Sequence, residues 1–299
     1  MCGIVGLYTK SSELRPRLGE LISTMLVEMT ERGPDSAGIA VYRDPAPSDA
    51  VKLVLFSPDP DCNWHALQSE LAKDLGDVAS LEVRASHAVL VVHESFDQIH
   101  HWLQANRPEL RIMSAGHTIE IFKEKGLPRD VAARFHLGDI SGTHAIGHTR
   151  MATESAVTTE HSHPFSTGMD LCLVHNGSLS NHNRLREELK REGITFQTDN
   201  DTEVAAGYLT WRLRQGATLK EALEAGIKDL DGFYTFCVGT SDGFAVLRDP
   251  IACKHAVLAE TDDWVAMATE FRAIARLPGA DKARIWEPAP AQVYSWGSH

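Results

Sequence analysis

The first six residues constrain this chain most strongly, because they place a thiol directly ahead of a buried strand. The chain begins MCGIVG, and these apolar and small residues predict a strand at Ile4–Tyr8 with space for a ligand near Cys2. Removal of Met1 would give Cys2 a free α-amine, whose pKa of about 7.7–8.0 leaves it partly neutral at cytosolic pH. Because a nearby base activates a thiol, Cys2 could carry both nucleophile and base. The alternative is a buried cysteine beside an ordinary first strand.

Composition and charge argue against several classes of protein. The chain has 299 residues, a formal net charge of −12 and an isoelectric point near 5.6, which disfavours nucleic acid or an anionic membrane as a partner. Its five cysteines are scattered and odd in number, as expected for reduced thiols in a cytosolic protein. The apolar start is too short for a signal peptide, and no stretch approaches a membrane span. We therefore expect a cytoplasmic location and a protein or small-molecule partner.

The order of predicted elements is strands, a helix, strands, an insertion, strands, two or three helices, and strands again. Apolar residues at helical spacing over residues 14–29 predict the first helix, which a Gly-Pro pair ends. Residues 201–213 predict an amphipathic helix, and Thr218 is a plausible N-cap for the next. This order suits two stacked, mainly antiparallel sheets covered by helices, a four-layer α/β/β/α arrangement, although the pattern alone leaves several α+β folds open.

One segment interrupts this order. A Pro-rich break over residues 57–60 is followed by predicted helices at Trp64–Leu75 and Phe96–Ala105, with a strong strand at Leu81–His93 between them. We predict a small inserted α+β subdomain over residues 58–125, within a single domain that spans residues 1–299.

Three polar motifs follow predicted strands, where functional side chains are common. The first is the run GHTR at residues 147–150. Arg150 follows a buried strand and could bind a carboxylate through two parallel hydrogen bonds. Taken alone, the motif is also compatible with an ordinary surface arginine.

The second motif is the run HNGS at residues 175–178. An Asn-Gly pair after a strand is usually a turn. It could instead form an oxyanion hole, with the side-chain amide of Asn176 and the backbone N–H of Gly177 directed at one oxygen. Such a donor stabilises a transition state by roughly 2.7–4 kcal/mol.

The third motif, DNDTE at residues 199–203, opens a predicted helix. Its acidic residues could cap the helix and interact with the positive end of its dipole. Asp201 could instead bind a substrate ammonium group, and both roles could hold at once. A ligand with an α-carboxylate, an α-amine and a cleavable side-chain carbonyl would satisfy all three motifs and Cys2, and glutamine is that ligand.

In combination, these motifs resemble the signature of class II glutamine amidotransferases, which are N-terminal-nucleophile hydrolases. The resemblance covers residues 1–57 and 125–299, and its five motifs occur in the family's order. They are MCGIVG at 1–6, RGPDSAG at 32–38, GHTR at 147–150, HNG at 175–177 and DTE at 201–203. The resemblance implies the α/β/β/α sandwich and glutaminase chemistry, in which Cys2 attacks the glutamine amide through a thioester. It further implies that Asn176 and Gly177 hold the oxyanion and that Arg32 braces the loop near Cys2.

The resemblance also implies the substrate contacts. Arg150 would bind the α-carboxylate of glutamine, Asp201 the α-amine, and Thr153 would line the pocket. Position 151 is methionine, where many relatives carry an aromatic residue, and this is one departure from the family pattern beside the pocket. The long span between Gly38 and Gly147 is a second departure, and a docking surface is one hypothesis for it.

The chain resembles most closely the stand-alone amidotransferase subunits related to glutamate synthase, notably the amidotransferase component of N-methylglutamate synthase in methylamine metabolism. This narrower resemblance rests on residues 121–128, 149–159 and 231–236. We see no synthase motif and expect acceptor chemistry to lie on glutamate-synthase-like partner subunits. The resemblance implies no cofactor in this chain, and it places any FMN and iron–sulfur cluster on those partners.

Two further alternatives concern the histidines and the activity. The pairs at residues 100–101 and 161–163 could suggest a metal site, but their spacing matches no strong metal signature. We predict no metal and assign these histidines to loops and surfaces, with His163 in a loop beside the glutamine pocket. The alternative to an active glutaminase is a non-catalytic assembly or regulatory subunit that keeps the fold.

Overall fold

A computed structural model describes residues 2–152 and 157–297 of the chain. Thr153, predicted to line the glutamine pocket, lies outside the described residues. Within the described ranges the chain forms sixteen strands and eight α-helices. The strands are β1 Gly3–Thr9, β2 Ser36–Tyr42, β3 Val51–Phe56, β4 Val78–Arg84, β5 His87–Val92, β6 Arg111–Gly116, β7 Ile119–Lys125, β8 His144–Arg150, β9 Phe165–Gly168, β10 Leu171–Leu179, β11 Gly232–Thr240, β12 Gly243–Arg248, β13 Val257–Glu260, β14 Trp264–Ala268, β15 Arg284–Trp286 and β16 Val293–Gly297. The α-helices are α1 Leu18–Glu28, α2 Trp64–Asp74, α3 Phe96–Asn106, α4 Pro128–Arg134, α5 His182–Arg191, α6 Asp201–Arg214, α7 Leu219–Asp229 and α8 Phe271–Ile274.

Two antiparallel sheets form the centre of the molecule. The seven-stranded sheet has the order β15-β13-β14-β1-β8-β2-β7, and the five-stranded sheet has the order β16-β12-β11-β10-β9. The first strand therefore lies in the middle of the larger sheet, between β14 and β8. Gly6 faces the second sheet closely, since a Cβ there would lie 3.3 Å from the sulfur of Cys237.

Helices cover the outer face of each sheet. α1, α4 and α8 pack on the seven-stranded sheet, while α6 packs on the five-stranded sheet with α5 and α7 beside it. The sequence predicts α1 through its apolar spacing, and Ile22 and Leu26 are fully buried, each contributing about 1.5–3 kcal/mol by burial. The predicted start of this helix is wrong by one turn, because Pro16 lies in a separate 3-10 turn at Arg15–Arg17. The predicted four-layer α/β/β/α sandwich is confirmed.

The predicted cap of α7 is present. The hydroxyl of Thr218 accepts a hydrogen bond from the backbone N–H of Glu221 at 3.2 Å, and the Glu221 carboxylate accepts one from the N–H of Thr218 at 2.8 Å. This reciprocal arrangement satisfies two N–H groups that a helix start otherwise leaves unpaired.

A third sheet forms the inserted unit. Its four strands have the order β6-β3-β5-β4, all antiparallel, and α2 and α3 complete the sequence βαββαβ of a ferredoxin-like fold. The unit extends from Val51 to Gly116 rather than over 58–125. β3 pairs within the small sheet, whereas β7 pairs with β2 in the seven-stranded sheet. The sequence pattern of a strand does not reveal which sheet the strand will join. The prediction therefore placed β3 outside the inserted unit and β7 inside it, and both assignments are wrong.

No helix in the described part of the chain is both long and apolar enough to cross a lipid bilayer.

Candidate active site

Cys2 immediately precedes β1, the central strand of the larger sheet. The residue is partly exposed and its sulfur is a free thiol. Its carbonyl oxygen accepts two hydrogen bonds, from Nε of Arg32 at 3.1 Å and from Nδ2 of Asn176 at 3.2 Å. These two side chains come from different parts of the fold, and together they fix the backbone that carries the thiol.

Arg32 occupies a 3-10 turn that follows α1. Its guanidinium group donates to the Cys2 carbonyl and also forms an ion pair with Glu270, with NH1 2.6 Å from Oε1. The side chain is 11% exposed, so it is held on both sides with little solvent contact. The predicted bracing position of Arg32 beside Cys2 is therefore where the structure places it.

The residues after Arg32 hold the end of β8. A Cβ on Gly33 would lie 2.4 Å from the carbonyl carbon of Thr149, so only glycine allows the two backbones to pass. Asp35 then donates its N–H to the carbonyl of Arg150 at 3.1 Å and accepts from the N–H of Ala152 at 2.8 Å. The loop thus fixes the backbone on both sides of Met151.

Arg150 is the last residue of β8 and is 5% exposed. It lies opposite Ser36 in the pairing of β8 with β2. The interpretation of Arg150 as an ordinary surface arginine is wrong, because the residue is almost fully buried. A buried guanidinium group requires polar partners.

Asn176 and Gly177 lie in β10 of the five-stranded sheet. Asn176 is 5% exposed, while Gly177 is exposed and has a φ of +145°. A Cβ on Gly177 would lie 2.0 Å from the carbonyl oxygen of Phe233. This Asn-Gly pair therefore continues a strand and does not form the turn that such a pair usually indicates.

Asp201 opens α6, but it does not cap the helix. Asn200 is the N-cap, since its side chain accepts from the N–H of Thr202 at 2.8 Å. Oδ2 of Asp201 accepts from the N–H of Leu179 at 3.0 Å, and Oδ1 lies 3.8 Å from Nδ1 of His175. These contacts connect the start of α6 to the end of β10.

Three histidines close to these residues, His148, His163 and His175, are buried. The sequence did not predict their burial. The rings of His148 and His163 are stacked with centroids 3.9 Å apart, and Nε2 of His148 lies 3.1 Å from the carbonyl oxygen of His175. Burial lowers the pKa of His148 to about 3 and lowers the pKa of His163 and His175. All three are therefore neutral at neutral pH. His163 was predicted beside the pocket, but as a loop or surface histidine, and only the pairing of distant strands reveals its burial.

The predicted residues fall into one contact group and two flanking positions. Arg32 and Asn176 touch Cys2 directly, and Gly177 adjoins Asn176. The backbone carbonyl of Arg150 accepts a hydrogen bond from Asp35. The carboxylate of Asp201 accepts one from the backbone of Leu179. Within residues 2–152 and 157–297, no group of three His, Cys, Asp or Glu side chains is arranged to hold a metal ion. A cleft of about 150 Å³ between the inserted unit and the core contains none of these site residues.

The chain is similar to known glutamine amidotransferases. A family model described as a glutamine amidotransferase domain matches residues 148–276. The glutamine amidotransferase-like protein GlxB of Rhizobium meliloti is 56% identical over 99% of this chain and 98% of its own length. An amidophosphoribosyltransferase of Archaeoglobus fulgidus is 27% identical over 99% of this chain, which spans 49% of that protein.

A solved structure shows the same fold. The glutamine phosphoribosylpyrophosphate amidotransferase of B. subtilis superimposes with a TM-score of 0.63 at 20% identity, covering 99% of this chain and 47% of that one. The chain thus spans about half the length of these two phosphoribosyl relatives.

Fold, site and comparisons define the class: the chain belongs to the class II glutamine amidotransferases, which have the N-terminal-nucleophile hydrolase fold. Its fold class and its family resemblance, both predicted from sequence, are confirmed.

Proposed function

We propose that this chain is the glutaminase subunit of a multi-subunit amidotransferase, with Cys2 as its nucleophile. The observation that carries the proposal is the convergence of Arg32 and Asn176 on the carbonyl of Cys2, at 3.1 and 3.2 Å. It brings a thiol, an amide donor and a buried cation to one point at the end of the central strand.

The first half of the reaction forms a thioester. After removal of Met1, the free α-amine of Cys2 accepts the thiol proton, and the sulfur adds to the side-chain amide carbon of glutamine. The amide nitrogen of Asn176 carries two hydrogens, of which one donates to the Cys2 carbonyl and the other can donate to the new oxyanion. The backbone N–H of Gly177 is the second proposed donor.

The second half releases the products. The tetrahedral adduct collapses with cleavage of the C–N bond, and the proton held by the α-amine moves to the departing nitrogen, which leaves as ammonia. Water then adds to the thioester carbon and displaces the Cys2 sulfur, giving glutamate. In this proposal Arg150 binds the α-carboxylate, Asp201 the α-amine, and Thr153 lines the pocket.

The ammonia is passed to a synthase partner. The narrower sequence resemblance supports an N-methylglutamate synthase or glutamate-synthase-like complex, in which partner subunits carry the acceptor site and any FMN or iron–sulfur cluster. Incubation of the natively purified complex with amide-¹⁵N glutamine tests this assignment. Appearance of ¹⁵N in the α-amino group of glutamate supports transfer of the ammonia to a partner, whereas label found only in free ammonia under all acceptor conditions contradicts it.

The nucleophile is tested by intact and peptide mass after treatment with 6-diazo-5-oxo-L-norleucine, an electrophile shaped like glutamine. We expect loss of Met1 and one covalent adduct on Cys2, with no adduct in Cys2→Ala. Cys253→Ala is the matched control, because Cys253 is a free and exposed thiol elsewhere in the chain. Retained Met1 and no adduct, with native partners present, would favour a non-catalytic assembly or regulatory subunit.

A further inference from the structure

Lys123 is a buried lysine whose ammonium group is surrounded by one loop. It lies in β7 and is 3% exposed. Its Nζ lies 2.7 Å from the carbonyl oxygen of Ser162, 3.1 Å from that of Pro164 and 3.2 Å from that of Glu160. An ammonium group has three donors and no acceptor, so the three carbonyl oxygens provide one acceptor for each of its N–H groups.

The surroundings of Lys123 contain groups that favour its charged form. The ring of Phe165 lies beneath Nζ, with its centroid 4.5 Å away, a geometry that attracts positive charge. Burial lowers the pKa of Lys123 to about 7, and the carboxylates of Glu203 and Glu160 act in the opposite direction. Bonds from an ionised donor are stronger than neutral ones, so in its charged form this group anchors residues 160–164 to β7 through three hydrogen bonds.

The loop is also held tightly against β2. A Cβ on Gly38 would lie 2.2 Å from the carbonyl oxygen of His163 and 2.5 Å from Cβ of Lys123. Gly38 belongs to the RGPDSAG run. Because it has no side chain, the backbone of the loop can lie this close to β2. Lys123 and Gly38 together therefore set the position of His163.

His163 in turn touches two elements that carry proposed substrate contacts. Its ring stacks on His148, two residues before Arg150 in β8. Its Nε2 lies 3.4 Å from Oγ1 of Thr202, which follows Asp201 at the start of α6. Its ring therefore lies between the strand that presents the proposed carboxylate contact and the helix that presents the proposed amine contact.

We infer that Lys123 is a positioning residue for glutamine: its ammonium group fixes the 160–164 loop so that His163 sets the spacing between Arg150 and Asp201. This inference rests on the proposed function, since it assigns those two residues to the α-carboxylate and the α-amine. The hydrogen bonds of Lys123 among the described residues go to the loop and not to Cys2 or Asn176. Its loss should therefore weaken recognition of the α-groups more than it slows the bond-breaking step.

The test compares Lys123→Met with Lys52→Met in the protein purified with its native partners. Methionine keeps the length of the side chain and removes the charge. Lys52 is a matched control because it is also 3% exposed and donates to two carbonyls, those of Arg43 and Asp44, at 3.0 and 2.7 Å. It lies in the inserted unit and contacts no residue of the 160–164 loop among its hydrogen-bond partners.

We expect Lys123→Met to raise the KM for glutamine about tenfold or more while kcat changes less than about threefold. Lys52→Met should lower the melting temperature without raising this KM. The rate of Cys2 labelling by 6-diazo-5-oxo-L-norleucine, which carries both α-groups, should fall in parallel in Lys123→Met. Labelling of Cys2 by iodoacetamide, which has neither group, should remain unchanged when followed on the Cys2 peptide.

Several outcomes would overturn the inference, and they differ from failure of the proposed function. An unchanged KM in a folded Lys123→Met protein, an equal rise of KM in Lys52→Met, or equal loss of both labelling reactions would each overturn it. If the wild-type protein takes up no glutamine-shaped label at Cys2, the proposed function itself is wrong. If Lys123→Met does not fold, Gly38→Ala provides the second test, since it displaces the same loop and should raise the same KM.

Discussion

The side-chain amide of Asn176 lies 3.2 Å from the carbonyl oxygen of Cys2 and donates to it. Cys2 precedes β1 of the seven-stranded sheet, whereas Asn176 lies in β10 of the five-stranded sheet. This hydrogen bond therefore joins the two central layers of the sandwich at the point where the proposed chemistry occurs. The side chain proposed as the oxyanion donor thus also forms a contact between the two sheets.

Replacement of Asn176 by alanine should lower kcat for glutamine hydrolysis by roughly 100- to 1,000-fold, the usual cost of losing one oxyanion donor. The change removes both hydrogens of the amide, and hence its bond to the Cys2 carbonyl. Steady-state glutaminase kinetics measure the effect. Asn181→Ala is the control, because that side chain hydrogen-bonds with Asp229 and Asp231 away from the thiol. Near-normal kcat in Asn176→Ala would exclude an oxyanion role.

A second prediction concerns Gly177. Alanine there would adopt a φ of +145° and place its Cβ 2.0 Å from the carbonyl oxygen of Phe233, so the strand must shift at the proposed oxyanion site. Gly193→Ala is the matched control, since its φ is also positive, at +81°, but no atom lies within 4 Å of the added carbon. We expect Gly193→Ala to lower the free energy of unfolding by about 1–2 kcal/mol without loss of activity.

Gly177→Ala should cost more stability than Gly193→Ala and should also lower glutaminase activity, because both its φ and its contacts are unfavourable. Urea denaturation and steady-state kinetics on the two variants give the comparison. Equal stability loss with full activity in both would mean that the backbone at Gly177 tolerates a side chain and is not fixed for catalysis.

Arg32 provides a third prediction, because one guanidinium group serves two partners. Its Nε donates to Cys2 and its NH1 pairs with Glu270. These are separate nitrogens of one rigid planar group, whereas lysine offers all its donors from one nitrogen. Arg32→Lys should lower kcat about tenfold, equivalent to ~1.4 kcal/mol, through looser positioning of Cys2. The exposed pair of Arg17 with Glu20 offers the control, and Arg17→Lys should leave kcat unchanged. A normal kcat in Arg32→Lys would remove its supporting role.

The sequence predicted many of the individual strands and helices, because local patterns determine where these elements lie. The strand after Cys2, the cap at Thr218 and the helix that begins at Asp201 all depend on neighbouring residues, and each lies where predicted. The ends of the inserted unit were missed because β3 and β7 choose their partners through contacts between distant segments. Sequence periodicity indicates that a strand exists but not which sheet it joins.

The candidate site shows the same division. Short, chemically distinctive motifs singled out Cys2, Arg32 and Asn176, and the structure brings these three residues into contact. The stack of His148 on His163 and the cage around Lys123 were not predicted. They depend on a loop crossing strands far away in the sequence, and single histidines and lysines carry no local signal of burial.

The last prediction concerns pH. His87 is fully buried among the rings of Phe56, Phe122 and Phe135, and its Nε2 has no hydrogen-bond partner among the described residues. Burial lowers the pKa of His87 from 6.5 to about 3. The unfolded chain therefore binds a proton between these values that the folded chain does not, so the stability is complete above pH 6.5 and is lost as the pH falls toward 3.

From pH 7.5 to pH 5, this single histidine should lower the free energy of unfolding by about 2 kcal/mol. His87→Phe removes the titrating group and should flatten the pH dependence by that amount, whereas His65→Phe, at an exposed position, should not. Urea denaturation of the three proteins at both pH values gives the measurement. Since His148 has a similarly lowered pKa, some acid sensitivity will remain in His87→Phe. An unchanged slope in His87→Phe would mean that His87 accepts its proton in the folded state and that the aromatic pocket opens to admit water.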